Sequence, residues 1–127
     1  MDPVDKVNVR YFVEHVDTAV AFYTQYLSFS LLTNYAPAFA DVTRGNLRLL
    51  LSGATSSAGK AMPDGTLPVP GGWNRFQIVV SDINAEVARL KAQGLKFRND
   101  IIKGPGGSQV LLLDPSGNFI ELFEPAR

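Results

Sequence analysis

The sequence predicts an α+β fold in which one strand–helix–strand unit occurs twice, and three observations carry that expectation. Val16, Val20, Tyr23 and Leu27 recur at spacings of 4, 3 and 4 residues, and Ile83, Val87, Leu90 and Gly94 repeat those spacings 67 positions later. An apolar strand precedes each helical stripe, at residues 9–13 and 76–80. The segment Val42-Thr43-Arg44-Gly45-Asn46 lies 72 positions before Asp114-Pro115-Ser116-Gly117-Asn118 and shares Gly and Asn in register, so that Leu49-Leu50-Leu51 matches Glu121-Leu122-Phe123. Two halves of roughly 60 residues with the same order of elements read as a duplicated module.

In chain order, residues 7–13 form the first strand, with Val7, Val9, Tyr11 and Val13 on one face and Asn8, Arg10 and Phe12 on the other. Asp17, with Thr18 as a neighbouring candidate, is read as the cap of a helix running through Leu27. Residues 31–34, 39–43 and 47–51 are short strands, the last two joined through Arg44-Gly45-Asn46 as a hairpin. The 21 residues from Ser52 to Gly72 hold five Gly and three Pro, longer than an ordinary connection in a compact domain. They read as a surface loop between modules, or as a flap or arm with Met62 and Leu67 as apolar anchors and Lys60 and Asp64 at its rim. Residues 73–80 resume as a strand, and Asp82 caps a helix over residues 83–93 that Gly94 closes. Residues 95–98, 101–103 and 109–113 are further strands, with a turn at Gly104-Pro105-Gly106-Gly107. That turn is too short and too far from a strand–helix junction to cradle a phosphate.

Asp114 and Pro115 open a tight turn in which Gly117 can take a positive φ, and a strand follows. Alternation places Phe119, Glu121 and Phe123 on one face of it, a carboxylate between two rings. Such a group is costly to bury alone, so Glu121 is either a ligand to something or a buried hydrogen-bond acceptor.

With 127 residues the chain is expected to be one domain, with a first module at residues 5–52, a connecting loop at 53–72 and a second module at 73–125. Hydrophobic residues at 46% and charged residues at 19% argue against disorder. Twelve basic residues balance twelve acidic ones, so no net field recruits nucleic acid or an anionic membrane. The absence of cysteine excludes disulfides, thiolate nucleophiles and thiolate metal sites. No basic stretch followed by an apolar run opens the chain, and a cytoplasmic protein is the default expectation.

Together these features resemble the glyoxalase, bleomycin-resistance and extradiol-dioxygenase superfamily, also called vicinal oxygen chelate. The segments that carry the resemblance are V-D-T-A-V-A-F-Y-T-Q-Y-L-S-F at 16–29, G-G-W-N-R-F-Q-I-V-V at 71–80 and D-P-S-G-N-F-I-E-L-F-E-P at 114–125. Phe22-Tyr23 followed by Leu27 and Phe29 is similar to the family's first-helix signature, with Ser28 where glycine is usual. The resemblance implies two βαβββ modules forming curled mixed sheets around a shared pocket, and a homodimer. It also implies metal-ligand positions on the first and last strands of each module, which fall on Asn8, Arg75, Leu49 and Glu121. The usual histidines are absent. Arg75 repels a cation, Leu49 has no donor atom, and Asn8 is a weak neutral ligand. No cofactor is therefore expected, although a divalent metal held through Glu121 stays open, with Gln77 as a ligand if the register shifts by two.

Arg75 paired with Glu121 is the more economical arrangement. It serves either as a salt bridge joining the two sheets or, with Asn8, Arg10, Arg48 and Gln77, as the polar lining for a small organic ligand. Arg44 reads as solvent-exposed. Phe39, Trp73 and Phe119 are the rings best placed for ligand stacking. His15, the only histidine, reads as a helix-entry residue, and Glu121 is the better acid/base candidate if chemistry occurs. The leading function is binding of a small organic molecule, in detoxification or antibiotic sequestration, without the family's usual metal set. A metal-dependent lyase, isomerase or dioxygenase with an atypical site, and a structural or interaction homodimer, are the alternatives.

Overall fold

A computed structural model describes residues 5–127; residues 1–4, part of the stretch read for targeting signals, lie outside them. The chain divides between Gly71 and Gly72 into two compact units, so most of the long connection goes with the first. Each unit is a βαβββ arrangement with a four-stranded mixed sheet. Among the described residues no helix is long and apolar enough to cross a membrane.

The first unit runs β1 (Val7–Phe12), α1 (Val16–Tyr26), β2 (Ser30–Tyr35), β3 (Phe39–Arg44) and β4 (Leu47–Ser52), with sheet order β1-β4-β3-β2. β1 is parallel to β4, and the other pairings are antiparallel. Pleat alternation sorts the sheet into two faces. Ala40, Val42, Leu49 and Leu51, all fully buried, form the face on which α1 packs with Val16, Ala19, Phe22 and Tyr23. Tyr23 meets Phe22 and Phe29 edge-on at 5.0 and 5.4 Å, closing the end of this core. The opposite face carries the polar set: Asn8, Arg10, Arg48, Asp41 and Thr33.

The second unit runs β5 (Phe76–Val79), α2 (Ile83–Ala92), β6 (Ile102–Gly104), β7 (Gly107–Leu113) and β8 (Phe119–Pro125), in the order β5-β8-β7-β6. β5 is parallel to β8, repeating the first unit's pattern. Ile83, Val87 and Leu90 are buried on α2, the stripe expected from their spacing, and α2 lies against β8. Ile78, Val110, Leu112, Ile120 and Leu122 complete this core.

The helix ends differ between the units. Asp82 caps α2 by accepting from the Ala85 N–H at 3.1 Å. In α1 the cap position is His15, which makes no side-chain cap bond, and Asp17 lies inside the first turn rather than capping it. There its carboxylate interacts with the helix dipole instead. At the other end, Gly94 takes φ +86° and the Leu95 N–H reaches the Leu90 carbonyl, a closure that favours glycine. The residue in the same place after α1 is Ser28, at φ +60°. A side chain in that region is disfavoured by roughly 1–2 kcal/mol. Ser28→Gly is accordingly expected to raise stability by about 0.5–1 kcal/mol after glycine's extra unfolded-state entropy is subtracted. Urea midpoints of the two proteins would show it, and a lower midpoint for the variant would contradict it.

Two further expectations are corrected. Residues 95–98 do not form a strand; they make a single bridge, Phe97 to Leu112. The Arg98 N–H donates to the Leu111 carbonyl, but the Leu111 N–H donates to the Asn99 side-chain oxygen, which takes the place of a ladder carbonyl. The edge of the sheet is thus broken before β6 begins. In the connection after β4, Gly53 donates to the Ala38 carbonyl, and a Cβ there would lie 2.5 Å from the Pro37 carbonyl oxygen. Met62 and Leu67, read as apolar anchors, are instead more than half exposed, at 53% and 63%.

Candidate functional site

The turn Asp114-Pro115-Ser116-Gly117-Asn118 sets the face that β8 presents. Asp114 is buried, and its carboxylate accepts from the Ser116 and Asn118 N–H groups and from the Asn118 amide, while Gly117 takes φ +86°. Phe119, Glu121 and Phe123 then project from the face opposite α2. The β5–β8 register sets Gln77 directly across from Glu121.

Glu121 is buried, and both of its oxygens are engaged. Oε1 accepts from Arg75 Nε at 3.0 Å and from an Arg75 Nη at 2.8 Å; Oε2 accepts from Gln77 Nε2 at 2.6 Å. Arg75 also donates to the Trp73 carbonyl at 3.2 Å, which fixes the guanidinium over the start of β5. These residues all belong to the second unit, so the ion pair ties adjacent strands of one sheet and does not join two sheets. The Trp73 and Phe119 rings lie 5.1 Å apart, and the Arg98 guanidinium sits 6.0 Å from the Trp73 ring centre.

Beside this group is a cavity of about 280 Å³ lined chiefly by Trp73, Arg75, Arg98, Asn99, Ile102 and Gln109. It lies where the sheet edge is interrupted between the Phe97 bridge and β6. Trp73 and Arg75 are marked in the sequence by the G-G-W-N-R segment, but nothing there singles out Arg98, Asn99 or Ile102. A detectable signal existed for Gln109, which shares its face with Leu111, the residue opposite Glu121. Arg98 and Asn99 depend on the broken edge, which reads as a plain strand.

Asn8, Arg10, Phe39 and Arg48 lie on the first unit. Asn8 stands opposite Arg48 in the β1–β4 register. Arg10 donates to the Ser52 hydroxyl at 2.8 Å, and Phe39 is half-buried opposite Ser52. Arg48 Nε donates to Asp41 at 2.7 Å. Asp41 is only 1% exposed and also accepts from the Thr33 N–H and hydroxyl. Burial pushes its pKa up, but the hydrogen bonds from Thr33 and Arg48 outweigh that and hold the carboxyl below its ordinary value of 3.8. Each unit therefore buries one carboxylate on the sheet face away from its helix and holds it with an arginine. Asp41 gave the same sequence signal as Glu121, an acid inside a strand. Arg44, read as solvent-exposed, is half-buried and donates to the Leu27 carbonyl at 3.2 Å, supporting the end of α1.

The residue equivalent to Glu121 in the first unit is Leu50, not Leu49. Arg10 stands opposite Leu50 as Gln77 stands opposite Glu121, whereas Leu49 is fully buried on the helix-facing side. The Gly-Asn match misplaces it because paired Arg44 and Leu47 enclose two residues, while Leu113 and Phe119 enclose five, so the following strands start in opposite pleats. Among the described residues no group of three or more His, Cys, Asp or Glu side chains is placed to hold a metal ion.

Residues 5–122 match the family model for the Glyoxalase/Bleomycin resistance protein/Dioxygenase superfamily. No curated protein matches the sequence. Among solved structures, a lactoylglutathione lyase from Agrobacterium tumefaciens is similar at 20% identity and a TM-score of 0.73, over 93% of this chain and 91% of that one. A superfamily member from Sphaerobacter thermophilus is similar at 22% identity and a TM-score of 0.75, over 94% and 95%. An antibiotic binding protein from Streptomyces is similar at 22% identity and a TM-score of 0.66, over 92% and 93%. At these identities the likeness concerns the fold.

Proposed function

Because the chain belongs to the Glyoxalase/Bleomycin resistance protein/Dioxygenase superfamily, we propose that it binds a small organic molecule, and that it does so in the second unit's cavity without a resident divalent metal. The observation that carries this reading is the cavity itself: an exposed indole, two guanidinium groups and two amides converge on a space of about 280 Å³. Ligand sites combine a mostly apolar wall with a few placed polar groups, and this volume suits a molecule of one or two rings.

The donor chemistry supports the metal-free part. Glu121 offers the only strong donor among the four positions that the family would use, and Arg75 and Gln77 occupy its two oxygens. A cation there would have to displace a guanidinium and stand beside its positive charge. Leu50, the corrected fourth position, has no donor atom at all. Glu121 is accordingly a positioning residue that aims Arg75. Sequestration or detoxification of an aromatic compound is the role this fits; a structure of similar fold from Streptomyces is described as an antibiotic binding protein.

Trp73 is the only tryptophan, so intrinsic fluorescence reports directly on the cavity. A panel of one- and two-ring aromatics that are neutral, anionic or cationic is expected to yield at least one compound giving a saturable change in emission, unaffected by Mn²⁺, Zn²⁺ or chelator. No response from any charge class at millimolar concentration, or a response that requires metal, would contradict the proposal.

A further inference from the structure

We infer that the preferred occupant of this cavity is an aromatic carboxylate whose acid group is received by Arg98; the inference rests on the cavity being a ligand site. The two arginines that line it are not equivalent. Arg75 is neutralised by Glu121 through two hydrogen bonds. Arg98 has no carboxylate partner among the described residues, and its side chain is exposed over the Trp73 ring. Its backbone is nevertheless fixed, because its N–H is held by the Leu111 carbonyl at 2.8 Å. The result is an anchored residue with an uncompensated guanidinium at the mouth of a cavity.

The other lining groups complement it. Asn99 is already engaged at both ends of its amide, by the Asp100 carbonyl and the Leu111 N–H, so it serves as wall. Gln109 lies on the same face as Leu111 and presents an amide to the cavity. Ile102 and Leu111 supply apolar surface, and Asp100, next in the chain, is not part of the lining. With the Arg75–Glu121 pair neutral in sum, Arg98 leaves the cavity with one net positive charge. An aromatic ring resting against Trp73 carries an attached carboxylate to the guanidinium, whose planar fork matches two carboxylate oxygens. A neutral ligand leaves that charge unanswered, and a cationic one is repelled.

The test compares 2-naphthoate, 2-naphthamide and 2-naphthylmethylammonium, read by the indole N–H cross-peak of the single tryptophan in ¹H–¹⁵N NMR titrations. 2-Naphthoate is expected to bind at least about tenfold more tightly than the amide, as a charge-assisted pair implies, with the ammonium compound weakest. In Arg98→Gln the ratio of carboxylate to amide affinity should fall to within about twofold, and Arg98→Lys should retain part of the preference. Equal binding of the three compounds, or an undiminished preference in Arg98→Gln, would overturn the assignment while leaving the cavity as a ligand site. Silence from all three would overturn it too, and the broader aromatic panel would then decide separately whether the site binds anything.

Discussion

Asp41→Ala is expected to destabilise the protein by about 2–4 kcal/mol, among the largest effects of any substitution of a polar residue. Asp41 is 1% exposed at the centre of β3 and answers three groups at once: the Thr33 N–H, the Thr33 hydroxyl and the Arg48 guanidinium. Alanine removes the one acceptor shared by the Thr33 N–H and hydroxyl, which tie the edge strand β2 to β3. Arg48 suffers less, because its side chain is 35% exposed and can turn to water, which keeps the expected cost from reaching the upper range for buried pairs. The sign of the pH dependence follows from the folded-state carboxyl lying below its ordinary 3.8. The unfolded chain takes up the proton first as pH falls, so the stabilisation is full above the unfolded value and disappears on acidification through the lower, folded one. Urea unfolding of wild type and Asp41→Asn at successive pH values should show a stability gap that is constant above about pH 5 and narrows below 3.8. A gap that widens on acidification would contradict this.

Glu121→Ala carries the second large effect, about 2–3 kcal/mol of lost stability together with weakened ligand binding. The substitution removes the carboxylate, so that Arg75 and Gln77 lose the acceptor that orders them. Because the residues act as a unit, the effects should not add. In a double-mutant cycle with Arg75→Ala, the coupling is expected at roughly 1–3 kcal/mol. Glu121→Gln separates positioning from acid/base or metal-ligand roles. The amide can still accept from Arg75 but no longer cancels its charge, so affinity for an aromatic carboxylate should be kept or increased. Loss of anion binding in Glu121→Gln would show that the carboxylate itself is required. Both outcomes are readable by the same titration as the parent protein.

Much of the architecture was legible because the pattern that encodes it is local. The stripe Ile83, Val87 and Leu90 has a helical period and is buried as such. The turn at Asp114–Asn118 was legible from its residue types, and the Arg75–Glu121 pair from the cost of burying an acid between rings. What failed was register between distant strands. Leu49 and Leu50 differ by one residue, and only the unequal turns before β4 and β8 decide which one matches Glu121. Local composition does not contain that information. The cap of α1 failed for a related reason: Asp17 has the right chemistry two residues too late, while the position it would need is held by His15. Arg98 and Asn99 were hidden because a side-chain oxygen replaces a backbone carbonyl at Leu111, and no periodicity signals that substitution.

The most direct measurement is amide chemical-shift mapping of the full chain with 2-naphthoate, using assigned spectra. The expected footprint joins Trp73, Arg75, Arg98, Leu111 and the strand positions around Glu121. Shifts confined to the first unit, or to the groove formed by Asn84, Lys103 and Ala126 at the start of α2, would place the ligand elsewhere and contradict a binding site at the broken sheet edge.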